Sequence, residues 1–215
     1  MKITAPTLIR AAGLSAVIAG TIFAIILPIQ PSEVLTSVNT RSFILMTSVK
    51  TVMSIFGLLG ITGLYARQVE KTGWQGLVGY LLLTIFFTIQ MCFSFIEPTI
   101  LPLLTGIAPA FVESMLAMKS GVSVSMDLGS LSTLFSFASI LFLFGLLIFG
   151  IATFRARILP RWAGALLALS GPLAGIMFGL LPHQLDRLTA IPTGTALVWL
   201  GFALFFEKTA PATEI

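Results

Sequence analysis

The sequence predicts an all-α membrane protein, a bundle of six transmembrane helices with both ends of the chain on the cytoplasmic side. Three observations predict it. The 215 residues are 57% hydrophobic and 9% charged, with a mean hydropathy of +1.05, whereas about a quarter of the residues in soluble globular chains are charged. Apolar runs of the length that crosses a bilayer, about 20 residues, recur at 9–28, 44–66, 75–96, 131–153, 162–182 and 188–206. Lysine and arginine collect in alternate connections between those runs.

Run length argues against a β-barrel, whose strands are about ten alternating residues long. No low-complexity linker divides the chain, so 1–215 reads as one transmembrane domain. The net charge of +4 and pI near 9.6 come from basic residues that flank apolar runs. They suit anchoring at a membrane surface and not nucleic acid. With the N-terminus inside, Lys2, Arg10, Arg67, Lys71, Arg155, Arg157, Arg161 and Lys208 are cytoplasmic, and only Arg41, Lys119 and Arg187 are outside. The reversed orientation inverts that ratio, against the tendency of basic loops to stay inside.

The first run, 11–28, follows Lys2 and Arg10 as a signal peptide would. It is longer than a cleaved signal core and no small-residue cleavage site follows, so it is expected to stay as the first span. The second run carries Thr47, Lys50, Thr51 and Ser54 at i, i+3, i+4 and i+7, one face of a helix. It ends in a turn, 67–74, where Arg67 and Trp74 anchor the inner interface. The third run sets Gln90, Ser94 and Glu97 on one face and Thr84, Thr88 and Cys92 on another. Cys92, the single cysteine, reads as a buried, inert thiol.

Segment 97–130 is too long for a simple turn. Pro98, Pro102 and Pro109 interrupt it, 110–119 reads as a short amphipathic helix, and 120–125 as extended. Being apolar but outside the spans, the segment is expected at the outer interface, as a lid or as a cap, with Glu113, Lys119 and Asp127 facing water. The fourth run carries Ser132, Ser136 and Ser139 as a polar stripe. It leads into the second basic turn, where Arg155, Arg157, Arg161 and Trp162 are the anchors. Residues 60–76 can be laid over 150–164 with one small gap. The match reads as an internal parallel repeat, or as what any helix ending at the inner face needs. In the fifth run Gly171, Gly175 and Gly179 line one face beside Pro172, a stripe that lets another backbone approach within the chain or in a partner.

Enzyme signatures are absent. His183 is the single histidine, which argues against HExxH zinc sites and bis-histidine haem. Asp127 and Asp186 fall in outer connections, and no G-x-S-x-G or phosphate-binding glycine pattern occurs. No catalytic residue, metal or cofactor is expected. The polar stripes of the second, third and fourth runs all fall within about 15 Å of the outer helix ends, at 1.5 Å per residue. Lys50 stands out because an ionisable group inside a span is costly and points to function. One reading is an outward-facing pocket of Thr47, Lys50, Thr51, Ser54, Gln90, Ser94, Glu97, Ser132, Ser136 and Ser139, with Gln90 and Glu97 as partners of the ammonium. The other is a snorkelling lysine among structural hydroxyls.

The inner turn Arg-Ile-Leu-Pro-Arg-Trp (157–162), the earlier Leu-Tyr-Ala-Arg-Gln (64–68) and Ile-Glu-Pro-x-x-Leu-Pro (96–102) resemble uncharacterised small bacterial integral membrane proteins of six helices. That resemblance implies a bacterial source and a multi-pass cytoplasmic-membrane location, and no activity. The leading expectation is a protein that binds or translocates a small anionic solute or a lipid. The alternative is a non-catalytic subunit that joins a homo- or hetero-oligomer through the glycine face, and the third is a membrane enzyme without a recognisable motif.

Overall fold

In the computed structural model the described residues are 4–120, 122, 126–180, 185 and 187–207, and among them every regular element is helical. The helices are α1 (Ala5–Ile29), α2 (Arg41–Thr99), α3 (Leu101–Leu104), α4 (Pro109–Ser120), α5 (Ser130–Ala156), α6 (Arg161–Leu180) and α7 (Ala190–Phe205). Among the described residues four stretches are long and apolar enough to cross a membrane: α1, α2, α5 and Arg187–Phe205.

Helix α2 covers what the sequence divides into two runs. Its 59 residues are interrupted at one point, Gly73, with φ 53° and ψ −150°. That combination is open in practice only to glycine, because a Cβ would crowd the backbone on either side. The chain folds back there. Tyr65 stacks on Tyr80 with centroids 4.6 Å apart, and Gly57 lies against the ring of Phe87. Residues nearly equidistant from Gly73 thus meet, and the arms 41–72 and 74–99 run antiparallel. The expected turn at 67–74 contracts to this single residue: Arg67 and Lys71 stay helical and only Gly73 leaves the helix.

Small residues decide how the arms and helices pack. A Cβ built on Gly20 would sit 2.6 Å from the carbonyl oxygen of Gly194, and one on Gly13 2.9 Å from that of Gly201. Helices α1 and α7 therefore touch backbone to backbone at two levels. Gly60 and Gly63 meet Ala16 and Ala12 of α1, Gly79 meets the backbone of Phe149, and Gly150 meets Ala168 and Gly164. These contacts, closed by α6 against α7, order the long segments as a ring: α7, α1, first arm, second arm, α5, α6. Phe87, Phe149, Leu64, Leu167 and Leu200 fill its centre. Leu45, Leu59, Phe95, Phe144, Leu169 and Ile176 point outward on all sides. An apolar exterior of that extent suits hydrocarbon and would aggregate in water. Lipid gives helices no hydrophobic drive to associate, so close backbone packing at small residues has to hold them.

One end of the ring carries the basic turns. The Gln68 amide donates to Thr153 Oγ1 at 2.8 Å, Arg155 reaches Gln75, and Arg67 Nε donates to Glu207 Oε2 at 2.7 Å. Trp74 and Trp162 are 81% and 63% exposed there, and Arg161 lies over the rings of Phe154 and Trp162. The two turns sit side by side but break differently. The second uses Arg157 in the left-handed region (φ 55°, ψ 23°), five positions before its tryptophan, and the first uses Gly73 directly before Trp74.

At the opposite end α4 lies across the bundle. Val112, Met115 and Leu116 pack onto Val38, Phe43, Phe93, Leu101 and Leu128. The amphipathic helix expected at 110–119 is thus present one residue longer at each end, as a cap over the first link and the arm ends. Of the extended segment expected at 120–125, most lies outside the described residues, as do Lys2, His183, Asp186 and Lys208. Cys92 differs from its expected burial. It is exposed on the bundle's exterior, because the face it shares with Thr88 points away from the ring.

Candidate functional site

The cap end holds a chain of opposite charges assembled from five parts of the sequence. Lys50 Nζ, on the first arm, lies 2.7 Å from Glu97 Oε2 on the second. The other oxygen of Glu97 is bonded by the Lys119 ammonium of α4. Lys119 also lies 3.2 Å from Glu33 Oε1, in the link between α1 and α2, and Glu33 Oε2 is 3.6 Å from Arg187 Nη2. Arg187 donates to the carbonyl of Gln30 at 2.8 Å, and the Gln30 amide donates to Glu33 at 2.8 Å. Lys50 and Glu97 are 3% and 2% exposed.

Local structure explains the placement. Lys50 is nine residues into α2, about 14 Å from its start at 1.5 Å per residue. The fold-back at Gly73 then brings Glu97 to the same height. Pro98 is accommodated in the last turn of the second arm without ending it before Glu97. Lys119 arrives from the last turn of α4, whose apolar face docks on the bundle. Burial works against its charge, and the Glu33 and Glu97 carboxylates outweigh it, so the Lys119 ammonium is held above the ordinary lysine range.

The neighbouring hydroxyls are spent on their own helices. Thr47 donates to the Phe43 carbonyl at 2.7 Å and Ser54 to that of Lys50 at 3.1 Å, both buried. Thr51 turns back towards Thr47 at 3.5 Å. These bonds keep the hydroxyls satisfied at depth. The Gln90 amide donates to Ser94 Oγ at 3.0 Å, one turn along the second arm.

A cavity of about 270 Å³ opens onto this cluster. Its polar wall is Gln30, Glu33, Lys50, Gln90, Lys119 and Arg187, and its apolar wall includes Phe23, Met53, Phe86, Phe135 and Phe142. Lys50 has three N–H donors and one carboxylate oxygen in contact. Glu97 Oε2 accepts no well-directed hydrogen bond, so this contact is an ion pair. The arrangement can hold a group that accepts hydrogen bonds and carries negative charge.

Sequence and structure agree on which residues come together in part. Of the residues expected to line a pocket, Lys50 and Gln90 border this cavity and Glu97 pairs with Lys50, while Thr47, Thr51, Ser54 and Ser94 are not in its wall. None of the α5 serines lines this cavity, and Ser139 borders the space beside it. Ser132 is half-buried, Ser136 and Ser139 are exposed, and Ser139 bonds the Phe135 carbonyl, because α5 turns its phenylalanines, not its serines, toward Lys50. Lys119, expected in water, is an ion-pair partner because α4 folds over the bundle. Glu113 and Asp127 are exposed, Asp127 accepting from the Gly129 amide at the start of α5. Glu33, Gln30 and Arg187 were not legible as site residues, since each lies in a connection. Of the α6 glycines whose packing is described, Gly164 and Gly171 are taken up within the chain. Gly164 meets Gly150 and Phe154, and Gly171 meets the carbonyl of Leu143, while Gly175, exposed, meets the end of the Leu143 side chain. Gly179 lies in α6 beyond the residues whose packing is described.

Among the described residues no three His, Cys, Asp or Glu side chains converge as metal ligands. Comparison with known protein families, with curated proteins and with solved structures finds no match.

Proposed function

We propose that the chain is a multi-pass membrane protein that binds or translocates a small anionic solute or a lipid through the pocket around Lys50. In this reading α1, the two arms of α2, α5, α6 and α7 cross the bilayer, a total of six passes. Arg67, Lys71, Arg155, Arg157 and Arg161, with Trp74 and Trp162 beside them, mark the cytoplasmic face by the bias of basic residues. Lys50, Glu97 and the α4 cap then face outward, and a bacterial cytoplasmic membrane suits the pattern.

One observation carries the proposal: an ammonium 3% exposed, inside a span, borders a cavity of about 270 Å³. A buried ion pair is a poor stability device, because apolar residues of the same volume do as well or better. Filling the space with leucine would have been cheaper than leaving it beside a charge. The rival reading, a subunit that docks a partner through the α6 glycines, is less favoured because Gly164 and Gly171 already pack on α5.

The test is a panel of anions and lipids screened for thermal shifts on the purified protein and on Lys50→Met. At least one ligand is expected to raise the wild-type midpoint and to lose that effect in the variant. Equal shifts in both proteins would count against the pocket.

A further inference from the structure

We propose that the ligand of this pocket is a single-chain anionic amphiphile, its acidic head on Lys50 and its acyl tail between α5 and α6. The proposal rests on the pocket reading above and names the ligand class.

The polar cavity has an apolar neighbour. A second space, of about 330 Å³, lies beside it and is lined by Ala138, Ile140, Leu143, Gly171, Ala174 and Gly175, with one hydroxyl, Ser139, spent on the Phe135 carbonyl. The two share Phe86, Gln90, Phe135 and Phe142 as a common wall. In this proposal the two serve as one site with a charged end and a greasy end, the division that an amphiphile has within one molecule, and the acyl chain passes the shared Phe86 and Phe142 wall. The apolar space by itself falls within the range of small-molecule sites, about 300–1,000 Å³.

The apolar space follows from the local sequence. Toward the Trp162 end, α5 and α6 meet backbone to backbone, at Gly150, Ala168 and Gly164. Toward Lys50 the contact relaxes. At Gly175 only the Leu143 Cδ1 methyl approaches, 2.6 Å from where a Cβ would stand. Ala138 and Ala174 contribute no more than methyl groups. The helices therefore leave a slot, walled by the Phe86 and Phe142 rings, whose centroids are 4.5 Å apart.

Charge selects the head. Glu97 is shared between Lys50 and Lys119, so the Lys50 ammonium is only partly neutralised in surroundings of low dielectric. A carboxylate brought by the ligand completes its contacts; an alcohol or an alkane does not. One apolar slot beside one polar cavity takes one chain, which favours a fatty-acid-like ligand over a two-chain phospholipid.

The experiment uses the protein in phosphatidylcholine nanodiscs with radiolabelled palmitate, empty discs giving the background. Saturable binding is expected, with hexadecanol competing at least about tenfold more weakly and Lys50→Met binding palmitate at least about tenfold more weakly, as loss of a buried charge contact implies. Ala174→Phe, which fills the slot, should weaken palmitate and leave short-anion thermal shifts intact. Palmitate bearing a diazirine at its far end should label Ala138, Leu143 or Ala174 of the wild-type protein, which face the slot and are not exposed on the outer surface. Labelling confined to outward residues such as Leu169, or palmitate affinity unchanged in Ala174→Phe, overturns the tail assignment and leaves the pocket standing. Hexadecanol binding as tightly as palmitate overturns the head assignment. Palmitate binding unchanged in Lys50→Met removes both this proposal and the pocket reading.

Discussion

Lys50 Nζ and Glu97 Oε2 lie 2.7 Å apart on opposite arms of α2, almost equally far from the fold-back at Gly73. Glu97 also holds Lys119, which has Glu33 as a second partner, so the two lysines share one carboxylate and, among the described residues, Lys50 has it as its one ion-pair contact. Removing Glu97 leaves Lys50 buried without its carboxylate contact while Lys119 keeps Glu33, whereas removing Lys50 leaves Glu97 paired with Lys119. Glu97→Gln is therefore expected to destabilise by roughly 3–5 kcal/mol, the cost of an uncompensated buried charge, and Lys50→Met by clearly less. Denaturant unfolding of both variants and of the double variant measures this ordering. Equal costs would show that Lys119 does not share the carboxylate.

Gly73 separates backbone strain from crowding. A Cβ there meets nothing within 4 Å, yet φ is 53° and ψ −150°. Gly73→Ala is expected to cost about 1–3 kcal/mol from backbone strain alone. Gly106, which also has open space around it but no positive φ, serves as the control, and Gly106→Ala should shift the thermal midpoint little. A neutral Gly73→Ala would contradict the single-residue fold-back.

The α1–α7 contact should be the least forgiving seam. A side chain on Gly20 meets the Gly194 carbonyl at 2.6 Å, backbone that cannot swing aside, while one on Gly175 meets only a Leu143 methyl. Gly20→Leu is expected to exceed the usual overpacking cost of about 1–3 kcal/mol and to lose folded protein on size-exclusion chromatography. Gly175→Leu should fold and keep the wild-type elution volume.

Gln68 and Thr153 tie the first arm to α5, with Gln68 Oε1 buried and without a hydrogen-bond partner. Thr153→Val strands the amide donors as well and should cost about 1–3 kcal/mol. Gln68→Met with Thr153→Val removes both sides and should recover most of that loss in the same unfolding assay.

Much of this architecture is legible in the sequence because helix length and hydropathy are local. Positions 110–119 read correctly as a helix because its apolar face recurs within a dozen residues. Lys50 and Glu97 could be named as partners because each is a lone charge in an apolar run. The rest depends on contacts between distant segments. Glu33, Lys119 and Arg187 look like ordinary solvated charges until α4 and the connections fold over the bundle. Their one signal is the scarcity of charge: 8 acidic residues in the chain make any carboxylate near Lys50 a candidate. The Gly13–Gly201 and Gly20–Gly194 contacts were hidden too, since seven-residue spacing on two remote helices leaves no short motif. The α5 serines misled for the opposite reason. Their spacing marks a face, and hydropathy does not say which way that face points.

The most direct measurement is an experimental structure of the protein in lipid nanodiscs, resolved well enough to see non-protein density beside Lys50. Density within hydrogen-bonding distance of Lys50 Nζ, continuing past Gln90 and Phe142 toward Gly175, is the predicted result. A Lys50 side chain extended to the headgroups, with the space beside Glu97 closed by packed side chains, would contradict the account.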